Sequence, residues 1–182
     1  TLSGTTNNDW EDIAFGPGPD VNKTYIYVGN IGSGAGGTRR IYRIEEPAVN
    51  VNQSRANITI AAGNIDTYTF SLPFNDAEGF FIDPITGDGF IFQKVGGSAT
   101  RPQTSPVLKI PATQFKVGGG ALTLSTIATI RTLGEGNTNN GGITAADISA
   151  DGSYFAIANY QEIWAWPVNR AAGQTVASVL AA

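Results

Sequence analysis

DAEGFFIDPITGDGFIFQ, residues 76–93, reads as an acidic box, a short apolar strand, a Pro-Gly turn and a second strand of aromatic and β-branched residues. The same order occurs upstream, in DWEDIAFGP (residues 9–17) followed by YIYVGN (25–30). It occurs again downstream, in TAADISADG (144–152) followed by YFAIAN (154–159). Recurrence at about 67 residues marks one supersecondary unit used several times, here a small antiparallel sheet. The expectation is an all-β fold.

Reading outward from the boxes fills in each unit. In the first, residues 13–15 and 25–28 are two strands, RIYRI (40–44) alternates like a half-exposed third, and NITI (57–60) with TYTF (67–70) offers the fourth. In the second, VLKI (107–110) is the third strand, and STIATI (125–130) follows a glycine loop at 118–120 as the fourth. The third unit is compact: strands at 147–149, 154–157, EIWAW (162–166) and a final TVASVL (175–180). Helical composition is confined to the surroundings of Ala171, too short and too rich in Gly and β-branched residues to predict a helix.

Four-stranded antiparallel units in series are the blades of a β-propeller, whose first strands line a central channel. The sequence therefore predicts one domain, 1–182, with about three four-stranded antiparallel blades at roughly 9–72, 76–133 and 143–182 behind an N-terminal arm, 1–8. Three blades are too few to close a ring, so the chain reads as a propeller cut short, with exposed edges that need a cover. Further sequence, a second copy making a six-bladed ring, or head-to-tail copies forming a filament would each supply one. The arm, TLSGTTN, is expected to add as a strand to a neighbour.

Composition excludes more than it identifies. The 182 residues are 41% hydrophobic, enough for a core, and 11 basic against 15 acidic residues give no electrostatic footprint for nucleic acid. No window approaches the roughly 20 apolar residues of a membrane span, and the first residues show no leader pattern, so the chain reads as soluble and already processed or trimmed. With neither Cys nor His, Ser-His-Asp and Cys-His nucleophiles, thiolate or imidazole zinc sites and disulfides are all excluded. Sequons at Asn22, Asn52 and Asn57, on a chain rich in Thr, Asn and Ser, are the pattern of a glycosylated, extracellular protein. A chain of this composition also produces sequons by chance.

WEDIAFGPGP (10–19), YIYVGNIG (25–32), RIYRIEEP (40–47), AEGFFIDPITGD (77–88) and TAADISADG (144–152) together resemble a family of secreted, largely uncharacterised bacterial β-propeller proteins. The resemblance runs through nearly the whole chain, in order. More distantly the acidic boxes are similar to those of phytase-like and gluconolactonase-like propellers, which implies channel carboxylates that hold calcium or another divalent ion. The chain departs from the family where Asn30 stands in place of Asp and Ser33-Gly34 in place of Asp-Asn. Family members also continue into further blades, whereas this sequence ends at Ala182.

Chemical potential is concentrated in the boxes. Asp9, Glu11, Asp76, Glu78 and Asp147 stand at the start of the innermost strands, where residues two apart point the same way and would converge at one channel mouth. Two roles are open: to recruit a hard cation such as calcium, or to accept backbone N–H groups and lock neighbouring blades. Repetition in each unit favours the lock. Arg39, Arg40 and Arg43 are candidates for clamping a phosphate or carboxylate, against pairing with Glu45 and Glu46 in solvent. Tyr160, Trp164 and Trp166 offer a sugar-stacking ligand surface, against plain blade packing. The glycine run 32–37 lacks the Lys-Ser/Thr of a phosphate loop and is read as a plain loop.

Two functions compete. One is a non-catalytic extracellular module acting in protein interaction or self-assembly with other copies of itself or another protein. The other is a calcium-type metal-dependent hydrolase of phosphoesters or lactones that works through the channel carboxylates. The sequence favours the first, because part of the acidic pattern is missing.

Overall fold

A computed structural model of the chain describes residues 1–35, 37–50, 52, 57–94, 103–115, 118–132 and 142–182. Its described residues form three sheets. In the first, β1 (Trp10–Gly16), β2 (Tyr25–Asn30), β3 (Arg39–Glu45) and β4 (Asp66–Phe70) run antiparallel in chain order. The second contains β5 (Ala77–Ile82), β6 (Gly89–Gln93) and β7 (Gln103–Ile110). A two-residue strand, β8 (Gly120–Ala121), precedes the second sheet's fourth member, β9 (Ser125–Thr132). The third sheet is β10 (Ala145–Ile148), β11 (Tyr154–Ala158) and β12 (Ile163–Pro167), followed by a short helix, α1 (Val176–Leu180).

The first strands of the three sheets contact one another, with β5 packed between β1 and β10. That position explains its composition: Phe80, Phe81 and Ile82 are buried, and a strand covered on both faces reads as a continuous apolar run. Aromatic packing spreads from there. Phe81 lies 5.3 Å from Phe90 and 5.9 Å from Phe155, which stacks on Trp166 at 5.2 Å. Arg170 ties the turns of the last two sheets together, donating to the Asp83 carboxylate at 2.9 Å and to the Gly152 carbonyl at 2.8 Å.

Several expectations are corrected. TVASVL forms α1, not a fourth strand: Thr175 caps it reciprocally with Ser178, and the helix packs against β9 with Val176 buried. The third sheet therefore has three strands. NITI is no strand either, making only an isolated parallel bridge between Leu2 and Ile60. That bridge accounts for the arm, which lies along its own chain: Ser3 donates to the Ile60 carbonyl and Ile60 to the Thr1 carbonyl, both at 2.9 Å. Strand β3 is almost wholly buried, not half-exposed, because it lies inside its sheet under neighbouring elements. Finally, β8 crosses back from the second unit to pair in parallel with β4, covering part of that edge. Gly119 permits the approach, since its φ is +84° and an added Cβ would sit 2.1 Å from the Thr67 carbonyl oxygen.

Candidate functional site

Strand register places the acids. Trp10 pairs with Asn30 and Asp12 with Gly29, so Glu11 is the extra residue of a β-bulge. In the second sheet Ala77 pairs with Gln93 and Gly79 with Phe92, which makes Glu78 the extra residue of an equivalent bulge. A bulge re-aims the residue it inserts, and here both glutamates turn toward the same place. Carboxylate oxygens of Glu11, Asp76 and Glu78 lie within 4.8 Å of one another, all half-buried.

Asp9 completes the group through a hydrogen bond with Glu11. Loss of hydration, that bond, and the charges of Glu78, Asp9 and Asp76 push the Glu11 carboxyl up to about 7. The loop after β2 wraps the cluster: Gly34 donates its amide to Asp9 Oδ2 at 2.6 Å, and Ser33 to Asp76 Oδ1 at 2.9 Å. Gly32 leaves room for this, because a Cβ there would meet Glu11 Oε1 at 2.2 Å and Asp9 Oδ2 at 2.4 Å. Asn30 is buried and accepts from the Asp9 amide at 2.8 Å. One cation is already in contact: the Lys94 ammonium bonds Glu78 and reaches the Tyr160 hydroxyl at 3.2 Å. Burial lowers the Lys94 pKa, and those two partners outweigh it and raise it.

Asp147 stands apart. It is exposed in β10, and its Oδ1 accepts from the Ile148 amide at 2.8 Å. Aligning the boxes by their first residue explains this: Thr144 and Ala146 occupy the places of the two acids, and Asp147 falls opposite Asp12 and Gly79. Strand β10 also pairs with β11 without a bulge.

The sequence reading missed Asp12. Its Oδ2 accepts from Phe80 of β5 at 2.8 Å and from Ala146 of β10 at 3.3 Å, and its Oδ1 from Ile13 at 2.9 Å. One carboxylate thus joins the first strands of all three sheets. Burial pushes its pKa up to about 6 against the opposing pull of these amides. The blade-lock role expected of the boxes is therefore met by the last acid of DWED, across all three sheets, and by Asp76, which accepts the Ser33 amide from the loop of the first sheet.

The remaining candidates have separate settings. Trp164 and Trp166 pack against the core, whereas Tyr160 is 61% exposed and presents its ring to Lys94 at 5.4 Å. Arg43 is buried, ion-paired with Asp66 at 2.5 Å and set over the rings of Tyr25 and Tyr68, not paired with Glu45 or Glu46. Glu45 takes Lys23, at 2.8 Å. Asn22, Asn52 and Asn57 are exposed, while Gln53 and Ser54 of the second sequon lie outside the described residues, as does Gly36 of the glycine run.

A second feature lies beside β1. Ile13 and Phe15 are 57% and 53% exposed and, with Pro17, Pro84 and Ile148, line a cleft of about 690 Å³ flanked by Lys23 and Asp147. Among the described residues no helix is long and apolar enough to cross a membrane. Neither a family model nor a curated protein matches the chain.

Proposed function

We propose that the chain is a non-catalytic, propeller-type module of an extracellular protein, working through association with another protein chain, a second copy of itself in the first instance. The observation that carries this reading is the apolar cleft of Ile13, Phe15, Pro17, Pro84 and Ile148 along the first strands, the place a further blade would cover. Its apolar centre is flanked by one cation and one anion, Lys23 and Asp147, the charge pattern a self-complementary two-fold contact needs. Three sheets from each of two copies make six, within the four to eight blades that close a propeller. Light scattering of the chain tests the reading. A mass above the monomer that reverts to monomer in Phe15→Asp supports it, and a monomer at all accessible concentrations overturns it.

The carboxylate cluster favours a second reading, a calcium-type cation bound between the first two sheets. The donor set fits: Glu11, Asp76 and Glu78 offer oxygens within 4.8 Å, and hard cations take oxygen ligands in flexible geometry. Lys94 on Glu78 and the amides on Asp9 and Asp76 take part of that capacity. Such an ion would offset the carboxylate repulsion that adds to burial in raising Glu11. It is also the premise of a hydrolase acting on a phosphoester or lactone. Terbium luminescence with calcium competition, followed by a phosphoester and lactone screen, separates a structural ion from a catalytic one.

A further inference from the structure

We infer that the pocket beside Arg39 binds a small organic anion, a carboxylate carrying an apolar body. Arg39 is only 4% exposed, yet among the described residues its guanidinium has no carboxylate partner. Its hydrogen bonds go to two carbonyls, Nε to Ile31 at 3.0 Å and Nη2 to Asn75 at 2.5 Å. Asp76, next in the chain, turns an oxygen to the Ser33 amide and forms no ion pair with it. A buried charge lacking a counter-ion is costly, and a guanidinium carries five N–H donors in a fork that matches a carboxylate.

The space for that counter-ion is present. Arg39 lines a pocket of about 310 Å³ together with Ser33, Leu72, Phe74 and Asn75. The Ser33 hydroxyl and the Asn75 carboxamide have no hydrogen-bond partner among the described residues and add two further polar groups at the pocket wall. Leu72 and Phe74 supply the opposite chemistry, half-buried apolar side chains packed against the core. Polar groups gathered around a cation beside an apolar wall define a ligand with one charged end and one apolar end. At about this volume it is a small molecule, not a peptide. This inference does not depend on the association proposed above.

Isothermal titration of the chain with 3-phenylpropionate, and with 3-phenylpropanol as its uncharged counterpart, tests it. Saturable carboxylate binding with a Kd of about 1 mM or tighter, and at least tenfold weaker binding of the alcohol, is expected. Arg39→Lys keeps the charge and loses the fork, so affinity should fall about tenfold. Phe74→Ser, at the pocket wall, should weaken binding through the apolar end, and it keeps the test open if the Arg39 variant fails to fold. Absence of saturation by about 10 mM carboxylate, or equal binding of acid and alcohol, overturns the proposal and leaves Arg39 as a clamp between two carbonyls.

Discussion

The first strands of sheets one and two both bulge and carry acid pairs, whereas that of sheet three runs straight and carries Thr144 and Ala146 in the same places. Sequence repetition makes the three look alike. Two things differ: Glu11 and Glu78 are extra in the ladder, so their carboxylates are re-aimed into a shared cluster, whereas in the third sheet Ala146 holds that place, nothing is inserted, and Asp147, aligned with Asp12, stays at the surface. Two sheets thus build an electrostatic site, and the third contributes packing and the Ala146 amide that Asp12 accepts.

The strongest challenge to this comparison is Asp12→Ala. It leaves the Phe80 and Ala146 amides without their acceptor, so unfolding free energy should drop by about 2–3 kcal/mol. Chemical denaturation measures this, and a loss under about 1 kcal/mol would mean that the three first strands are held by packing alone. Next comes Gly32→Ala. Its methyl group would displace the Glu11 and Asp9 carboxylates, the far ends of flexible side chains, so terbium affinity should fall at least tenfold while the fold persists. Unchanged affinity would place the cation elsewhere.

A smaller effect concerns pH. The Glu11 pKa is raised from 4.5 to about 7, so the folded state binds the proton more tightly than the unfolded chain. The resulting penalty is absent below about 4.5, grows as pH rises and is complete above about 7. Asp12 acts in the same direction between 3.8 and about 6. In chelator, the melting temperature should rise as pH is lowered from 8 to about 5.5, and Glu11→Gln should flatten the upper part of that profile. A melting temperature that rises with pH would show that the carboxylates are compensated. Asp147→Asn should have the smallest effect: stability within about 0.5 kcal/mol of the parent and cation affinity unchanged, by denaturation and terbium titration. A marked loss of affinity would draw the third sheet into the site.

Much of the fold was legible because alternation and turn chemistry are local. The apolar runs at 80–82 and 90–92 and the Pro-Gly turn between them specify a hairpin without reference to anything distant. TVASVL was misread for the converse reason. Its β-branched residues favour a strand, but burial of Val176 and packing against β9, together with the Thr175 cap, stabilise a helical turn. The acids were found by type and four of the five meet as expected; Asp147 does not, because it aligns with Asp12 and not with the acids that the bulges re-aim. The burial of Arg39 and Arg43 was not legible, because charge predicts exposure until a sheet interior covers it.

By itself the sequence determined the all-β class, the absence of Cys and His chemistry and the concentration of acids in the boxes. Only the tertiary structure decided which acids meet, which one joins the sheets, where the arm lies and which buried arginine has no carboxylate partner among the described residues. The physical reason is range. Strand period and turn geometry are set by neighbours in sequence, whereas carboxylate convergence and charge burial depend on residues brought together from separate sheets, as Asp12 and Ala146 are across 134 positions.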